Sequence, residues 1–374
     1  MRNIYYLIIL AVISFSCNEN SNSINLSSRD NVSITEIIDS VVIVSLETSE
    51  DCLINTIGKV IPYEERYYIL DTRGGQQVLC FDINGKFIFK NNNVGRGPEE
   101  FAYLADFAID KYNREMILLV PFGEILHYDL DGRFLSRRRL PEECRAYNHI
   151  YPINKDTIVF ISASYEDKII YYSRKENKIV SSCYQNLRGD LYADGRIYYY
   201  DNHLYYNPDI TNEIVSLSGK EPEFIYSWNF GKMNNKEDKA RKLMAEMNDS
   251  NMSIPLEDII GKDKYLNYIF ITMAESDRYR IAIIDFENDY LKIFYDKIEN
   301  KNILFNKTTE GISPFPTSFS DNMMIVIDYG IVPGFNIDVT PLSESILSPE
   351  QLSIVKSHNP ERENPYLIIY HLKQ

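Results

Sequence analysis

Two stretches of this chain repeat one another. Tyr67-Tyr68-Ile69-Leu70-Asp71, followed by the run Val78 to Ile88, is echoed by Met116-Ile117-Leu118-Leu119 followed by the run Ile125 to Leu135, and the glycines of the two copies, Gly85 and Gly132, stand 47 residues apart. A period of this size constrains the fold more than any single residue, because one such unit cannot bury its apolar face alone and must stack on its neighbours. Asn84-Gly85 and Asp131-Gly132 are dipeptides that supply positive φ at both central positions of a type I′ hairpin. Each copy is therefore predicted to be a strand, a short loop, a strand, a tight turn and another strand. Weaker copies run over Thr157 to Ser162 with Lys168 to Val180, and over Gly195 to Tyr200 with Glu213 to Tyr226. A fifth runs from Tyr265 through Ile281–Asp285 to Leu291–Phe294, and a sixth contains Met323 to Asp328. The spacing matches a four-stranded propeller blade, whose repeats run roughly 40 to 50 residues.

Arithmetic sets the number of blades. The 334 positions from 41 to 374, less a non-repeating insertion near 231–262 and a loose segment near 330–362, leave about 270. That length predicts an all-β fold, a six-bladed β-propeller with one short helical insertion. The 29 tyrosines and 18 phenylalanines lie among Ile, Val and Leu in short runs, as strands require. The first apolar run, Val41-Val42-Ile43-Val44, and the last, Tyr366 to Tyr370, each stand alone, and a ring of blades must close to avoid exposed edges. The two runs are expected to share a blade. Within the insertion, Ala240, Leu243, Met244 and Met247 fall on one helical face, which suits either a connection packed on blades four and five or a lid over a ligand face. Asp82, Asp129 and Asp285 end strands, where a carboxylate can accept bonds from the turn that follows.

The N-terminus carries Arg2, the apolar stretch Ile4 to Phe15, then Ser14 and Ser16 just before Cys17, which is the signal-peptide layout. The apolar stretch is shorter than the roughly 20 residues of a permanent span. Cys17, followed by the polar tract Asn18 to Ser23, resembles the bacterial lipoprotein processing site. The expected organisation is a signal peptide over 1–16, a lipidated N-terminal linker over 17–40 and the propeller over 41–374. The chain is thus expected to be exported and lipid-anchored in the bacterial cell envelope. Its formal net charge of −15 argues against nucleic acid and against anionic headgroups, so the membrane is expected to be met through the N-terminal lipid alone. Arg137-Arg138-Arg139 reads as a solvated strand end. The remaining cysteines, Cys52, Cys80, Cys144 and Cys183, form no C-x-x-C pair, and Cys80, inside the apolar run Val78 to Phe81, reads as a buried free thiol.

Gly95-Arg96-Gly97-Pro98-Glu99-Glu100-Phe101 resembles the G-x-G-x-x-x-F segment of NHL-type propeller repeats. Together with the leader, the Asp-x-Asn/Asp-Gly-Lys/Arg-Phe turns and Asn364-Pro365 before the last strand, it is similar to the six-bladed β-propeller lipoproteins abundant in the Bacteroidetes. The chain departs from the common form at Glu99, where a second glycine is usual. The resemblance implies a fold and an envelope location, and it implies no reaction or ligand.

No motif points firmly to chemistry. Gly95-Arg96-Gly97 lacks the Gly-Lys-Ser/Thr ending of a phosphate loop and the third glycine of a dinucleotide fingerprint. Gly95 and Gly97 are expected to adopt a backbone shape closed to other residues, with Pro98 stiffening it. Arg96, Glu99 and Glu100 on that loop are candidate ligand contacts or inter-blade salt bridges. His127, His149, His203, His358 and His371 show no metal-binding spacing, although histidines distant in sequence could converge on a propeller's channel and hold a divalent metal there. No cofactor is expected. The tyrosines Tyr198, Tyr199, Tyr200, Tyr205 and Tyr206 could stack on sugars, but neighbours on a strand point to opposite sides, so the run is expected to be mostly core. The leading expectation is a monomeric binding or interaction module for an envelope protein or glycan. The alternative is a channel-centred metal-dependent lyase or hydrolase of NHL-like type.

Overall fold

Met116-Ile117-Leu118-Leu119-Val120 is buried along its whole length, because a strand inside a stacked blade has a sheet against each face. Met116 and Leu118 pack on Tyr68 and Leu70 of the preceding sheet, while Ile117 and Leu119 pack on Ile150, Ile158 and Phe160 of the following one. Such strands read as continuous apolar runs, with none of the alternation of a half-exposed sheet. The computed structural model describes residues 23–72, 76–145, 147–162, 167–185, 196–249, 256–261, 264–287, 289–328 and 340–374. The signal peptide, Cys17 and the start of the predicted linker lie outside them.

Six four-stranded antiparallel sheets form the six blades. Blade one runs from Ile57 to Asn91, two from Asp106 to Arg139, three from His149 to Gln185, four from Ile197 to Ser227 and five from Tyr268 to Phe305. In each, the strands lie in chain order from the channel outward. Blade six combines Ser318–Ser320, Met323–Ile327 and Tyr366–Leu372 with Ile38–Ser45 as its outermost strand. The two ends of the chain pair in register, Val41 opposite Tyr370 and Ile43 opposite Ile368, as the need for closure predicts.

The predicted linker is packed over its described part. Ile24 and Leu26 are buried with Trp228 and Phe230 at the junction of blades four and five, and Ile34 and Ile37 fill the seam between blades five and six. The strap is also hydrogen-bonded to the blades. Asp30 N–H donates to Leu304 O at 2.6 Å, and the Glu310 carboxylate accepts from Ser33 Oγ and, at 3.0 Å, from Ile34 N–H. Burial raises the Glu310 pKa, but the Ser33 hydroxyl and the Ile34 amide outweigh it and hold the group down to about 2. Five apolar side chains on this segment, at 24, 26, 32, 34 and 37, explain why it cannot stay in water.

The turns at Gly85 and Gly132 are not type I′. Only the glycines have positive φ, +82° and +81°. Gly85 N–H donates to Asp82 O at 2.9 Å, and Asp82 Oδ1 accepts from Asn84 N–H at 2.8 Å and Lys86 N–H at 2.9 Å. Asp129 does the same for Asp131 and Arg133. The aspartate holds the second central residue at ordinary φ, so only the glycine must be left-handed. Paired positive φ occurs instead at Glu64-Glu65 (47° and 58°) and Asp201-Asn202 (44° and 64°). There, pairing of Tyr63 with Arg66 and of Tyr200 with His203 leaves two-residue loops. Asp285 is unlike Asp82 and Asp129: burial, with Asp289 nearby, pushes its carboxyl up to about 6.

A Cβ on Gly85 would lie 2.0 Å from the Ser45 carbonyl oxygen of the outer strand of blade six. Gly85→Ala is therefore expected to cost about 2 kcal/mol or more, from the left-handed backbone and a clash that only backbone movement relieves. Asn84→Ala, at an ordinary φ, should change the urea midpoint little.

The insertion carries α1 (Glu237–Asp249) and α2 (Leu256–Ile259). Ala240, Leu243 and Met247 pack on Ile269, Ile271, Ile283 and Tyr290 of blade five, so α1 is a packed connection; the Met244 side chain lies outside the described residues. A further helix, α3 (Pro349–Ser357), lies in the segment expected to be loose. Ser348 and Gln351 form a reciprocal capping box at its start, and Gln351 Nε2 donates to Val41 O at 2.7 Å.

Candidate functional site

The propeller has two unlike ends. At one end lie the hairpins joining first to second strands; at the other, the open end, lie the loops that enter each blade and those joining second to third strands. The hairpin end is tied together by bonds that reach every blade. Arg114 Nη2 donates to Glu64 Oε2 at 3.0 Å (blades two and one), and Asn113 Nδ2 to Lys155 O at 3.1 Å (two and three). Lys111 Nζ donates to Asn202 Oδ1 at 2.5 Å and Tyr112 Oη to Asn202 O at 3.3 Å, linking the non-adjacent blades two and four. Tyr200 Oη donates to Asp277 Oδ1 at 3.2 Å, and Asn322 Nδ2 to Asp277 Oδ2 at 2.7 Å, carrying the chain of contacts through blades four, five and six. Burial lowers the Lys111 pKa, opposed by Asp321 and Asp201 from the hairpins of blades six and four. This network forms a floor across the channel.

The channel wall nearer the open end is built by the inner strands of blades one to three. Lys59 Nζ lies 2.9 Å from Asp106 Oδ1 and donates to Phe107 O at 2.9 Å, with the Phe107 and Tyr151 ring centroids 5.6 and 5.3 Å away. Asp106 Oδ2 accepts from Ile150 N–H at 3.1 Å, and His149 Nδ1 stands 3.8 Å from it. A charge pair set against two rings and a backbone amide locks three blades to one another. At the open end of blades three and four, Asp209 lies 2.5 Å from both Lys168 Nζ and Arg196 Nη2, with all three side chains buried or nearly so. Burial raises the Asp209 pKa, yet Arg196 and then Lys168 outweigh it and keep the group below its ordinary value.

The histidines do not converge. His127 is buried against Glu115, its Nδ1 3.0 Å from Oε1, while His203 sits at an exposed hairpin with Nδ1 2.7 Å from Asp201 O. His358 ends α3 with Nε2 3.0 Å from Asn364 O, and His371 lies on the third strand of blade six. Among the described residues, no group of three His, Cys, Asp or Glu side chains is placed to hold a metal ion. Cys52, Cys80, Cys144 and Cys183 are free thiols, and burial pushes the Cys80 thiol up to about 12.

The Gly95–Phe101 loop plugs the outer seam between blades one and two, with Phe101 fully buried there. Neither Gly95 nor Gly97 has positive φ, which corrects the expected reason for them. Space is the constraint: a Cβ on Gly95 would come within 2.0 Å of Glu100 Oε2, the oxygen that accepts from Gly97 N–H at 2.7 Å. Glu100 is thus spent inside the loop. Arg96, Pro98 and Glu99 are exposed, and neither Arg96 nor Glu99 forms an ion pair among the described residues. Arg137 donates to Gly97 O and Glu100 O at 3.0 and 2.9 Å and Arg138 to Arg174 O at 2.6 Å. Two of the three arginines expected to be solvated are therefore pinned.

The run of tyrosines divides as alternation requires. Tyr198 and Tyr206 are buried; Tyr198, Tyr200, Tyr205 and Tyr226 pack toward blade five, where the Arg280 guanidinium lies 4.0 Å from the Tyr226 centroid. The open end carries a feature that sequence reasoning missed. Leu53, Val94, Tyr103 and Phe122, all on loops of that end around blades one and two, are 49 to 68% exposed. A lone apolar residue between turn formers, as in Pro121-Phe122-Gly123, is the sequence signal.

Residues 13–371 match the family described as Domain of unknown function (DUF4934). Among solved structures, the chain is similar to a "Putative exported protein" from Bacteroides fragilis, with 17% identity, a TM-score of 0.72, and 93% of this chain and 98% of that one covered. Its likeness to U3-55K (9% identity, 88% and 98% covered, TM-score 0.45) and to the WD40 repeats of RRP9 (8% identity, 92% and 100% covered, TM-score 0.46) is too slight to carry argument. No curated protein matches. No helix among the described residues is long and apolar enough to cross a membrane.

Proposed function

The chain belongs to the family described as Domain of unknown function (DUF4934), and from that premise we propose that it is an exported, lipid-anchored propeller that binds a protein or glycan of the cell envelope at its open end. The observation that carries this reading is the exposed set Leu53, Val94, Tyr103 and Phe122, gathered on the open-end loops around blades one and two, whereas the other exposed apolar side chains, such as Ile83, Leu135, Val180 and Ile298, lie on outer strands and turns elsewhere on the ring. Exposed apolar groups rimmed by polar residues mark association surfaces, and the free charges of Arg96 and Glu99 beside blade one supply such a rim. The leader before Cys17 supports export and acylation, and the name of the Bacteroides fragilis neighbour supports export. The buried Phe101 after Gly95-Arg96-Gly97 supports kinship with NHL-type repeats. The module acts as a monomer, without a cofactor and without nucleic acid.

The test uses purified protein immobilised against detergent-solubilised envelope proteins and, separately, envelope glycans. A Tyr103→Ser/Phe122→Ser variant should keep the wild-type melting curve, with or without chelator. It should lose affinity by roughly 30-fold or more, since truncating anchors of this kind costs about 2 kcal/mol or more. Affinity unchanged by the double substitution, or turnover by the purified protein that Asp106→Ala abolishes, would remove the proposal.

A further inference from the structure

The strap fixes the place from which the chain departs toward its anchor. Ile24 N–H donates to Asn229 O at 2.8 Å, and a Cβ on Gly231 would lie 3.1 Å from Ser23 Cβ. Asn229 and Gly231 follow the outer strand of blade four and belong to a loop entering blade five, so Ser23 is held at the open end. Cys17 is six residues before Ser23, and six residues reach at most roughly 20 Å even when fully extended. The wall of the propeller is as tall as that reach. Ile57–Tyr63, the inner strand of blade one, with seven residues, spans about 23 Å at strand rise. A tether leaving the open end is too short to run down this wall and still present the hairpin end to a bilayer.

We infer that the acylated chain holds its open end toward the membrane, with the entry loops of blades four and five nearest the bilayer and the hydrogen-bonded floor facing away. This rests on the proposed acylation of Cys17. Charge points to the kind of partner. The loop that carries Leu53 also carries the exposed Glu50 and Asp51, which disfavour contact with anionic headgroups. The exposed apolar set then meets a protein embedded in the same membrane, and the lipid surface itself is not its ligand.

Two single-cysteine labels on blade five read the orientation in a Cys183→Ser background, the other described thiols being buried. Lys242→Cys places a fluorophore on α1 at the open end, and Ile298→Cys places one on an exposed turn at the hairpin end. The acylated protein is reconstituted in vesicles of phosphatidylethanolamine and phosphatidylglycerol bearing a lipid-linked acceptor. Energy transfer from position 242 should exceed that from 298 by about twofold or more, for labels separated by a blade height of roughly 20 Å. Equal transfer, which means the ring lies on its side, or stronger transfer from 298, overturns the orientation. Mass spectrometry of the N-terminal peptide separates the two failures: an unacylated Cys17 removes the anchor reading itself, whereas an acylated protein with equal or reversed transfer removes the orientation alone.

Discussion

A chain ending before Tyr366 is expected not to fold. Tyr366–Leu372 is the third strand of blade six, and the first strand of the protein, Ile38–Ser45, pairs with it alone. Its loss removes Leu367, Ile368, Ile369 and Tyr370, each 1% exposed or less, from two interblade cores at once. At about 1.5–3 kcal/mol for each large apolar side chain, that loss is comparable with the 5–15 kcal/mol by which a whole domain is stable. It also leaves unpaired backbone on both sides of the gap, which invites association through strand edges. The truncated protein should lack a cooperative thermal transition and elute as aggregate. Ile368→Ala in the full chain should keep the fold and lose about 2–5 kcal/mol in urea. A truncation that melts like the intact protein would show that blade six is dispensable.

The second large effect is expected at Asp209. Replacing it with asparagine keeps the shape but withdraws the carboxylate that lies 2.5 Å from both Lys168 and Arg196. Removing one partner of a buried charged group leaves desolvated charge behind and costs about 3–5 kcal/mol, whereas an exposed pair such as Arg241–Glu237 on α1 is screened by water and contributes far less. The contribution of Asp209 also carries a sign in pH. Its folded pKa is lowered from the ordinary 3.8, so its stabilisation is fully present above about pH 4 and is lost as the pH falls through the depressed folded value. Asp209→Asn should therefore flatten the acid limb of the stability curve as well as lower its plateau. An unchanged acid limb would assign that limb to other carboxylates.

The architecture was legible where local chemistry repeats. Asp82 and Asp129 both cap turns ending on left-handed glycines, so blades one and two share a pattern that survives in the letters. Blade four lacks it: the turn between its third and fourth strands, Glu213–Ser216 and Glu223–Ser227, is 217–222, with no aspartate at its start and with Gly219 outside the left-handed region. The start of α3 was written in Ser348-Pro349-Glu350-Gln351, a capping box with proline at the first helical position, and the polar character of the stretch concealed it. The lower end of the channel was beyond reach, because Lys111 and Asn202 are 91 positions apart on hairpins unremarkable by themselves. Leu53 and Phe122 were passed over for a different reason: a single apolar residue in a loop becomes informative only when its neighbours in space are known.

The tie between Lys111, Tyr112 and Asn202 joins blades that share no core, and this decides how the ring can move. Blades held only by their neighbours can slide and splay independently; blades whose tips are laced across the axis share a hub. Because the Lys59–Asp106–Ile150 contacts also lock blades one to three nearer the open end, these blades are held at both ends of the channel, and the rim where Tyr103 and Phe122 stand is expected to meet a partner as a pre-formed surface.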